Sequence, residues 1–242
     1  MQIVRHHNLT PEENIAFDEL LLEKAEKGET GETLRFWSSR GHFIVTGRSS
    51  KVADDCHLRS CHRNNVRIIR RISGGGTVLQ GAGCLNYSLV LSYDRDPDYR
   101  NISTSYRSIL GGIMDTLKPK GVDAGFAPLS DLTLDGKKFS GNAQARKHRY
   151  FLHHGTFLYD FDLEIMRMFL KHPGREPAYR KKRAHEEFLT NIPLSGDELK
   201  DVVAGAFCPT GVSSWEPSSK DITRLGELVR KKFTCDSWNY CF

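Results

Sequence analysis

Apolar and polar positions along this chain change their period several times, and the changes mark out its elements. Thr10-Pro11-Glu12-Glu13 carries an N-cap threonine, a proline at the first helical position and a glutamate at the capping-box position, and Gly28 stands at the far end. The spacing predicts a helix from Pro11 to Lys27 with Phe17, Leu20, Leu21 and Lys24 on one face, packed on a sheet. Residues 34–37 and 43–47 read as two strands joined by a turn over 38–41. Residues 66–69 are β-branched, and Leu85, Tyr87, Leu89 and Leu91 alternate with Asn86, Ser88 and Val90, so both stretches read as strands. Tyr106, Ile109, Leu110, Ile113 and Leu117 recur at helical spacing until Pro119 and Gly121 stop the pattern. A strand over 151–159, a helix opened by Ser195-Gly196-Asp197-Glu198, and an amphipathic helix over 221–232 with a short tail complete the chain.

Asp135-Gly136 between alternating segments predicts a two-residue hairpin whose register follows from the turn. Leu134 pairs with Lys137, Thr133 with Lys138, Leu132 with Phe139, and Asp131 with Ser140. Leu132, Leu134 and Phe139 then share one face with Lys137 at its turn end, and Asp131, Thr133, Lys138 and Ser140 share the other. The polar face singles out Lys138 over Lys137, although a solubilising edge lysine would read the same way. His153 and His154 point to opposite faces of their strand, one toward a site and one toward the other layer.

The most distinctive polar stretch is Arg70-Arg71-Ile72-Ser73-Gly74-Gly75-Gly76-Thr77-Val78, between the strand-like 66–69 and 85–91. Consecutive glycines leave backbone N–H groups open to an anion, and each arginine is a charged fork suited to phosphate or carboxylate. Without a Gly-Lys-Ser/Thr ending or a following helix pattern it is neither a P-loop nor a dinucleotide fingerprint. Standing alone, it reads equally well as a glycine-rich hairpin turn with surface arginines. Gly47-Arg48 closes the second strand and either adds a basic group to the same rim or is a solvated loop. The basic run 175–183 lacks apolar periodicity and reads as solvated.

At 242 residues the chain is read as one domain, 1–242. Its net charge of +5, from 35 basic and 30 acidic side chains, favours an acidic partner surface without demanding nucleic acid, and its basic run lacks the aromatic interleaving of a nucleic-acid binder. No apolar run reaches membrane-spanning length and the N-terminus lacks a signal-peptide pattern, so a cytoplasmic protein with no membrane partner is expected. Six cysteines without a C-x-x-C pair read as reduced thiols, and Cys56-His57 with Cys61-His62 matches no standard zinc spacing.

Four pieces in order, Arg-Arg-Ile-Ser-Gly-Gly-Gly-Thr-Val at 70–78, Leu-Asn-Tyr-Ser at 85–88, Lys-Lys-Phe-Ser-Gly-Asn-Ala-Gln at 137–144 and His-His-Gly-Thr at 153–156, together resemble the lipoate-protein ligase family. Matching pieces run from the Asn14 helix through Gly47-Arg48 to Thr190-Asn191-Ile192, so the resemblance covers most of the chain. It implies the α+β fold shared with biotin ligases and, more distantly, class II aminoacyl-tRNA synthetase cores: a large, mainly antiparallel or mixed sheet packed with helices. It also implies activation of lipoate, or a related medium-chain acid, by ATP and Mg²⁺ to lipoyl-AMP. The acyl group then passes to a lysine of a lipoyl-bearing acceptor, such as a lipoyl domain or an H-protein-like carrier.

Family members place their essential lysine before a hydrophobic residue and Ser-Gly, which is the position of Lys138, so the resemblance and the hairpin register converge. A fixed ammonium between the carboxylate and the α-phosphate lowers the barrier by electrostatic preorganisation. On the same resemblance the N–H groups of Gly74, Gly75 and Gly76 with Arg71, and Arg70 beside it, hold the carboxylate and phosphate. Asp131 or Asn142 orients Lys138 or the nucleotide, and Ser73, Thr77, Val78, Asn86, Ser140, Gly141, Ala143, His154, Gly155 and Thr156 line the pocket; no Mg²⁺ ligand is assigned.

Two departures are visible. Gln80 stands where many relatives have histidine, and the chain ends without the C-terminal accessory domain of several ligases, so either a separate accessory subunit or a transfer-only role is expected. The rival within the fold is the octanoyl- or lipoyl-transferases, which use a cysteine thioester in place of ATP. In one such group the cysteine lies shortly before the Ser-Gly-Asn-Ala-Gln hairpin; the corresponding stretch 123–130 contains none, and Cys84 reads as a small packed residue.

Overall fold

The computed structural model describes residues 1–6, 8–128, 130–208 and 212–242. Its strands are β1 (Gln2–Val4), β2 (Thr33–Trp37), β3 (Phe43–Thr46), β4 (Arg67–Arg70), β5 (Val78–Gln80), β6 (Cys84–Ser92), β7 (Gly125–Ala127), β8 (Asp131–Leu134), β9 (Lys137–Arg146), β10 (Tyr150–Leu158) and β11 (Ser213–Trp215). Its α-helices are α1 (Pro11–Lys27), α2 (Val52–Asp55), α3 (Leu58–Arg63), α4 (Ile102–Leu117), α5 (Met166–Phe169), α6 (His185–Phe188), α7 (Gly196–Phe207), α8 (Ser219–Leu228) and α9 (Asp236–Asn239).

The fold is α+β. A mixed sheet runs β11-β1-β2-β6-β10-β9-β8-β7, parallel at β11-β1-β2 and antiparallel from β2 onward, and a small sheet β4-β3-β5 stands apart from it. The 3.6-residue and two-residue periods in the sequence map directly onto these elements. In α1, Thr10 and Glu13 exchange capping-box hydrogen bonds and Gly28 turns the C-terminus at φ 75°, where a Cβ would be strained. The alternation along β6 is real: Leu85, Tyr87, Leu89 and Leu91 face a core with α4 and α7, and Val90 faces the opposite layer with Phe17, Leu20 and Leu21 of α1. Fully burying each such side chain contributes roughly 1.5–3 kcal/mol relative to leaving it exposed.

Three expectations change. The segments 34–37 and 43–47 do not pair as a hairpin, because β2 joins the large sheet beside β6 while β3 forms the middle of the small one. The glycine-rich stretch runs from β4 into β5, which begins at Val78, so both of its ends are pinned to β3 rather than to β6. The tail after α8 is not a loose end: a π-helical turn and α9 fold back onto β4, where Asn239 Oδ1 accepts the Arg70 N–H at 2.9 Å.

Candidate active site

The β8-β9 hairpin turns at Asp135-Gly136 as expected, and Leu134 pairs Lys137 and Thr133 pairs Lys138. Beyond that point a β-bulge shifts the register, so Leu132 faces Ser140 and Asp131 faces Gly141. The shift reassigns the polar face. Lys138 Nζ meets Asp131 Oδ1 at 2.8 Å, directly over Gly141, where a Cβ would come within 2.6 Å of the ammonium. Gly141 is therefore the floor on which the lysine lies. Ser140, expected beside Lys138, is turned away and accepts the Asn142 amide at 3.4 Å.

Asn142 is likewise on the far face. Its Oδ1 accepts the buried Tyr87 hydroxyl at 2.6 Å and its amide donates to the Ser130 carbonyl at 2.8 Å. Gly155 makes room for this contact, since a Cβ there would collide with Asn142 Oδ1. Of the two candidates for orienting Lys138, Asp131 does so, while Asn142 and Gly155 hold the strands behind it.

On the site face the register aligns side chains in lateral rows. Ala143, His154, Ser88 and Arg35 lie in one row across β9, β10, β6 and β2, and Gly141, Thr156, Asn86 and Trp37 lie in the next. Asn86, Gln80 and Thr156 close a polar ring: Gln80 donates to Thr156 at 2.9 Å, Thr156 to Asn86 at 2.5 Å, and Asn86 to Gln80 at 2.9 Å. Gln80 thus serves as a two-sided amide that fixes Thr156.

His154 Nε2 lies 2.6 Å from Ser73 Oγ, and its Nδ1 is 4.0 Å from Asp18 Oδ2. Burial, with Arg71 and His153 nearby, holds His154 neutral, well below the usual imidazole range. Asp18 is buried on α1 and pairs with the fully buried Arg35 at 3.2 Å. Burial pushes the Asp18 carboxyl up, against the opposing charge of Arg35. At the Arg35 end of these rows, Arg35 Nε, Trp37 Nε1 and Thr33 Oγ1 are buried with no hydrogen-bond partner among the described residues.

The glycine loop is organised around Arg71. The arginine is 7 % exposed and its guanidinium takes the carbonyls of Gly74 (2.6 Å from Nη2) and Gly76 (2.8 Å), the Ser73 hydroxyl (3.0 Å) and the Val45 carbonyl (3.3 Å). Burial lowers its pKa to about 10, so it stays charged at neutral pH. Gly75, at φ 86°, has Arg71 Nη2 2.9 Å and Ala143 Cβ 3.8 Å from where its own Cβ would be, so the loop abuts β9. With the loop carbonyls drawn inward onto Arg71, the N–H groups of Gly74, Gly75 and Gly76 donate to no acceptor among the described residues. Thr77 is fixed by Asp55, donating at 2.5 Å.

Arg70 departs from expectation. It is fully buried, and its guanidinium donates to five carbonyls, those of Gly47, Arg48, Ser50, Trp238 and Asn239. It braces the 47–50 turn against the C-terminal segment, so its donors are taken up by the protein itself.

The basic run 175–183 is also not simply solvated. Arg180 is buried, and Tyr179 donates to Asp131 Oδ2 at 2.6 Å, so the two oxygens of Asp131 are divided between Lys138 and this segment. The Thr190 N–H then donates to the Lys138 carbonyl at 3.0 Å. Burial and Asp131 push the Tyr179 phenol up, and Tyr106 of α4, facing both Arg71 and Asp131, is pushed up to about 12, so both remain protonated donors. Tyr106 carries a helical apolar period that hid it as core. Asp18 left a signal, since Asn14 and Asp18 interrupt the buried stripe of α1 four residues apart. Nothing in the sequence distinguished Tyr179 from its basic neighbours.

Residues 10–207 match the family model described as lipoyl protein ligase A/B catalytic domain. The chain is 30% identical to an octanoyltransferase LipM from an Exiguobacterium species, covering 98% of this chain and 96% of that protein. It is 26% identical to lipoate–protein ligase 1 from Staphylococcus aureus, covering 99% of this chain and 73% of that protein. Among solved structures it superposes with a TM-score of 0.83 on the bipartite lipoate protein ligase of Thermoplasma acidophilum, studied with its E2 lipoyl domain, at 23% identity over 99% of this chain and 95% of the other.

Proposed function

This chain belongs to the lipoyl protein ligase A/B catalytic domain family, and from that premise we propose that it is an ATP-dependent lipoate-protein ligase. It activates lipoate or a related medium-chain acid and delivers the acyl group to a lysine of a lipoyl-bearing acceptor domain. The observation that carries the reading is the pairing of an Asp131-oriented Lys138 ammonium with a glycine loop whose N–H groups are unengaged. These are the donors that a carboxylate and an α-phosphate need as they approach each other with the same sign of charge.

The adenylate fits the residues present. Lys138, about one quarter exposed, stands over Gly141, and the carboxylate end of the acid lies between it and the loop. A carboxylate oxygen attacks the α-phosphorus and pyrophosphate leaves; the acceptor lysine amine then attacks the acyl carbon and AMP leaves. Neutral His154 and the phenols of Tyr106 and Tyr179 add no charge that would compete with Lys138. Mg²⁺ would travel with the phosphates; among the described residues no three His, Cys, Asp or Glu side chains converge to hold a metal.

A second reading, acyl transfer from a thioester, is favoured by the identity to an octanoyltransferase. Against it stands the thiol inventory. Cys56, Cys61 and Cys84 are buried, and burial pushes Cys56 and Cys84 up to about 12, far from a reactive thiolate; Cys208 and Cys235 are half-buried and Cys241 is exposed, and none of the three stands in the stretch before the β8-β9 hairpin. The stretch 123–130 has no cysteine. The shared fold with a bipartite ligase makes it natural to assay adenylation with and without an accessory subunit.

Lys138→Ala should lower lipoate-dependent pyrophosphate release by about 10²–10³-fold, the cost of losing one preorganised oxyanion donor. Lys137→Ala, at the exposed turn, should leave it near wild type. Equal losses in the two variants would remove Lys138 from the mechanism.

A further inference from the structure

Three arginines surround the glycine loop, and two of them are fully engaged by the protein itself. Arg70 is saturated by backbone carbonyls, and Arg71 by the loop it organises. Arg48 is different. Its side chain is exposed, no carboxylate pairs with it among the described residues, and its backbone N–H donates to the Ser73 carbonyl at 2.8 Å, one hydrogen bond from the loop. The turn it belongs to touches the loop elsewhere too: Ser50 Oγ donates to the Gly75 carbonyl at 3.3 Å, and Gly47 lies so close to that carbonyl that a Cβ would collide with it.

The Arg48 side chain is nevertheless held. Its guanidinium carbon stands 5.2 Å from the centre of the Trp238 ring. Trp238 is fixed in turn, since its indole N–H donates to the Arg70 carbonyl at 2.8 Å and Lys232, paired with Glu19 at 2.7 Å, packs 4.1 Å from the ring centre. Asn239, 5 % exposed, bonds both the N–H and the guanidinium of Arg70, whose other arm closes the turn at Gly47, Arg48 and Ser50. The C-terminal helix α9 therefore supports the turn from below through Arg70 and the Arg48 fork from the side through Trp238. An arginine stacked on an aromatic face loses rotamer freedom yet keeps its N–H donors, which suits a polyphosphate.

We propose that Arg48 is the cation that receives the nucleotide's phosphates beside the glycine loop, and that α9 is its scaffold, with Trp238 and Asn239 as positioning residues. This rests on the ATP-dependent reading given above. Nucleotide phosphates are thus met by an exposed, stacked arginine, while Arg70 and Arg71 shape the backbone around them.

The test is calorimetric titration of the full chain with Mg-ATP and, separately, with lipoate. Arg48→Ala should weaken ATP binding by about 10- to 100-fold, the loss expected for hydrogen bonds to a charged group, with lipoate affinity unchanged. Arg48→Lys should recover part of it. Trp238→Ala should weaken ATP binding in the wild-type background and add nothing in the Arg48→Ala background, because the two act as one unit. Should Trp238→Ala not fold, Trp238→Phe, which keeps a ring and loses the indole N–H, should fall between wild type and Arg48→Ala. ATP binding by Arg48→Ala at wild-type strength, or additive losses in the double variant, would overturn the proposal alone. A wild-type chain that binds lipoate and not ATP would overturn the ATP-dependent reading and this proposal with it.

Discussion

Lys138 was legible because a two-residue turn fixes its partner and face, and the structure places its ammonium where that register pointed. Ser140 and Asn142 were not, because one bulge reverses the facing of every residue after it, and a bulge leaves no mark in a hydrophobic pattern. Arg70 and Arg71 show a second limit: arginines near a glycine loop look alike in sequence, and only the surrounding carbonyls show that both of these are structural forks while Arg48 is not. His153 carries a consequence for acid stability. It is fully buried between Tyr87 and Gln144, and burial lowers its pKa to about 3. A folded-state pKa below the unfolded value of about 6.5 means the unfolded chain takes the proton first, so stability is full above that pH and falls as the pH drops toward 3. Between pH 7.5 and 5.5 this one group should cost the wild type about 1.4 kcal/mol in urea unfolding. His153→Gln should show a correspondingly flatter pH dependence, and parallel curves for the two proteins would contradict the assignment.

The long helices α1, α4, α7 and α8 and the strands β2, β3, β4, β6, β8, β9 and β10 were read in place because their periods, caps and turn are strong local signals, such as Thr10 with Glu13, Gly28, and the alternation from Leu85 to Leu91, while the short helices α2, α3, α5, α6 and α9 carry no such signal. What the sequence could not show is which strands pair. β2 and β3 are neighbours in the chain and belong to different sheets, and β5 is too short to have a period. The glycine loop stood out in the sequence as a candidate anion site, yet its arrangement, with the Gly74 and Gly76 carbonyls drawn onto Arg71 and the loop N–H groups without acceptors among the described residues, depends on contacts with β3 and β9 that lie far away in sequence. The hairpin makes a matching prediction. Gly141→Ala would place a Cβ within 2.6 Å of Lys138 Nζ, so it should displace the lysine from Asp131 and reduce adenylation severely. Because the obstructed atom is the end of a flexible side chain, the thermal midpoint should stay within a few degrees of wild type. Loss of fold in place of loss of activity would assign Gly141 to the hairpin backbone instead.

Across the whole molecule, the large mixed sheet supplies the lateral rows, the small sheet supplies the glycine loop, and the 175–190 segment and the C-terminal helix fold back on the two sides of the site. The family and the α+β class were both readable from four ordered motifs, three of them on β6, β9 and β10 of the large sheet and one joining β4 to β5 of the small sheet. The choice between ATP and a thioester donor rests on Lys138, the unengaged loop N–H groups and the lack of a cysteine in the stretch before the β8-β9 hairpin. It is decided most directly by incubating the purified chain with a lipoyl acceptor domain and following acceptor mass and pyrophosphate together. With lipoate and Mg-ATP, and with an accessory subunit where one is needed, the acceptor should gain one lipoyl group for each pyrophosphate released. Acyl transfer from an acyl-carrier donor in the absence of ATP, with no pyrophosphate formed from lipoate and ATP, would contradict the account.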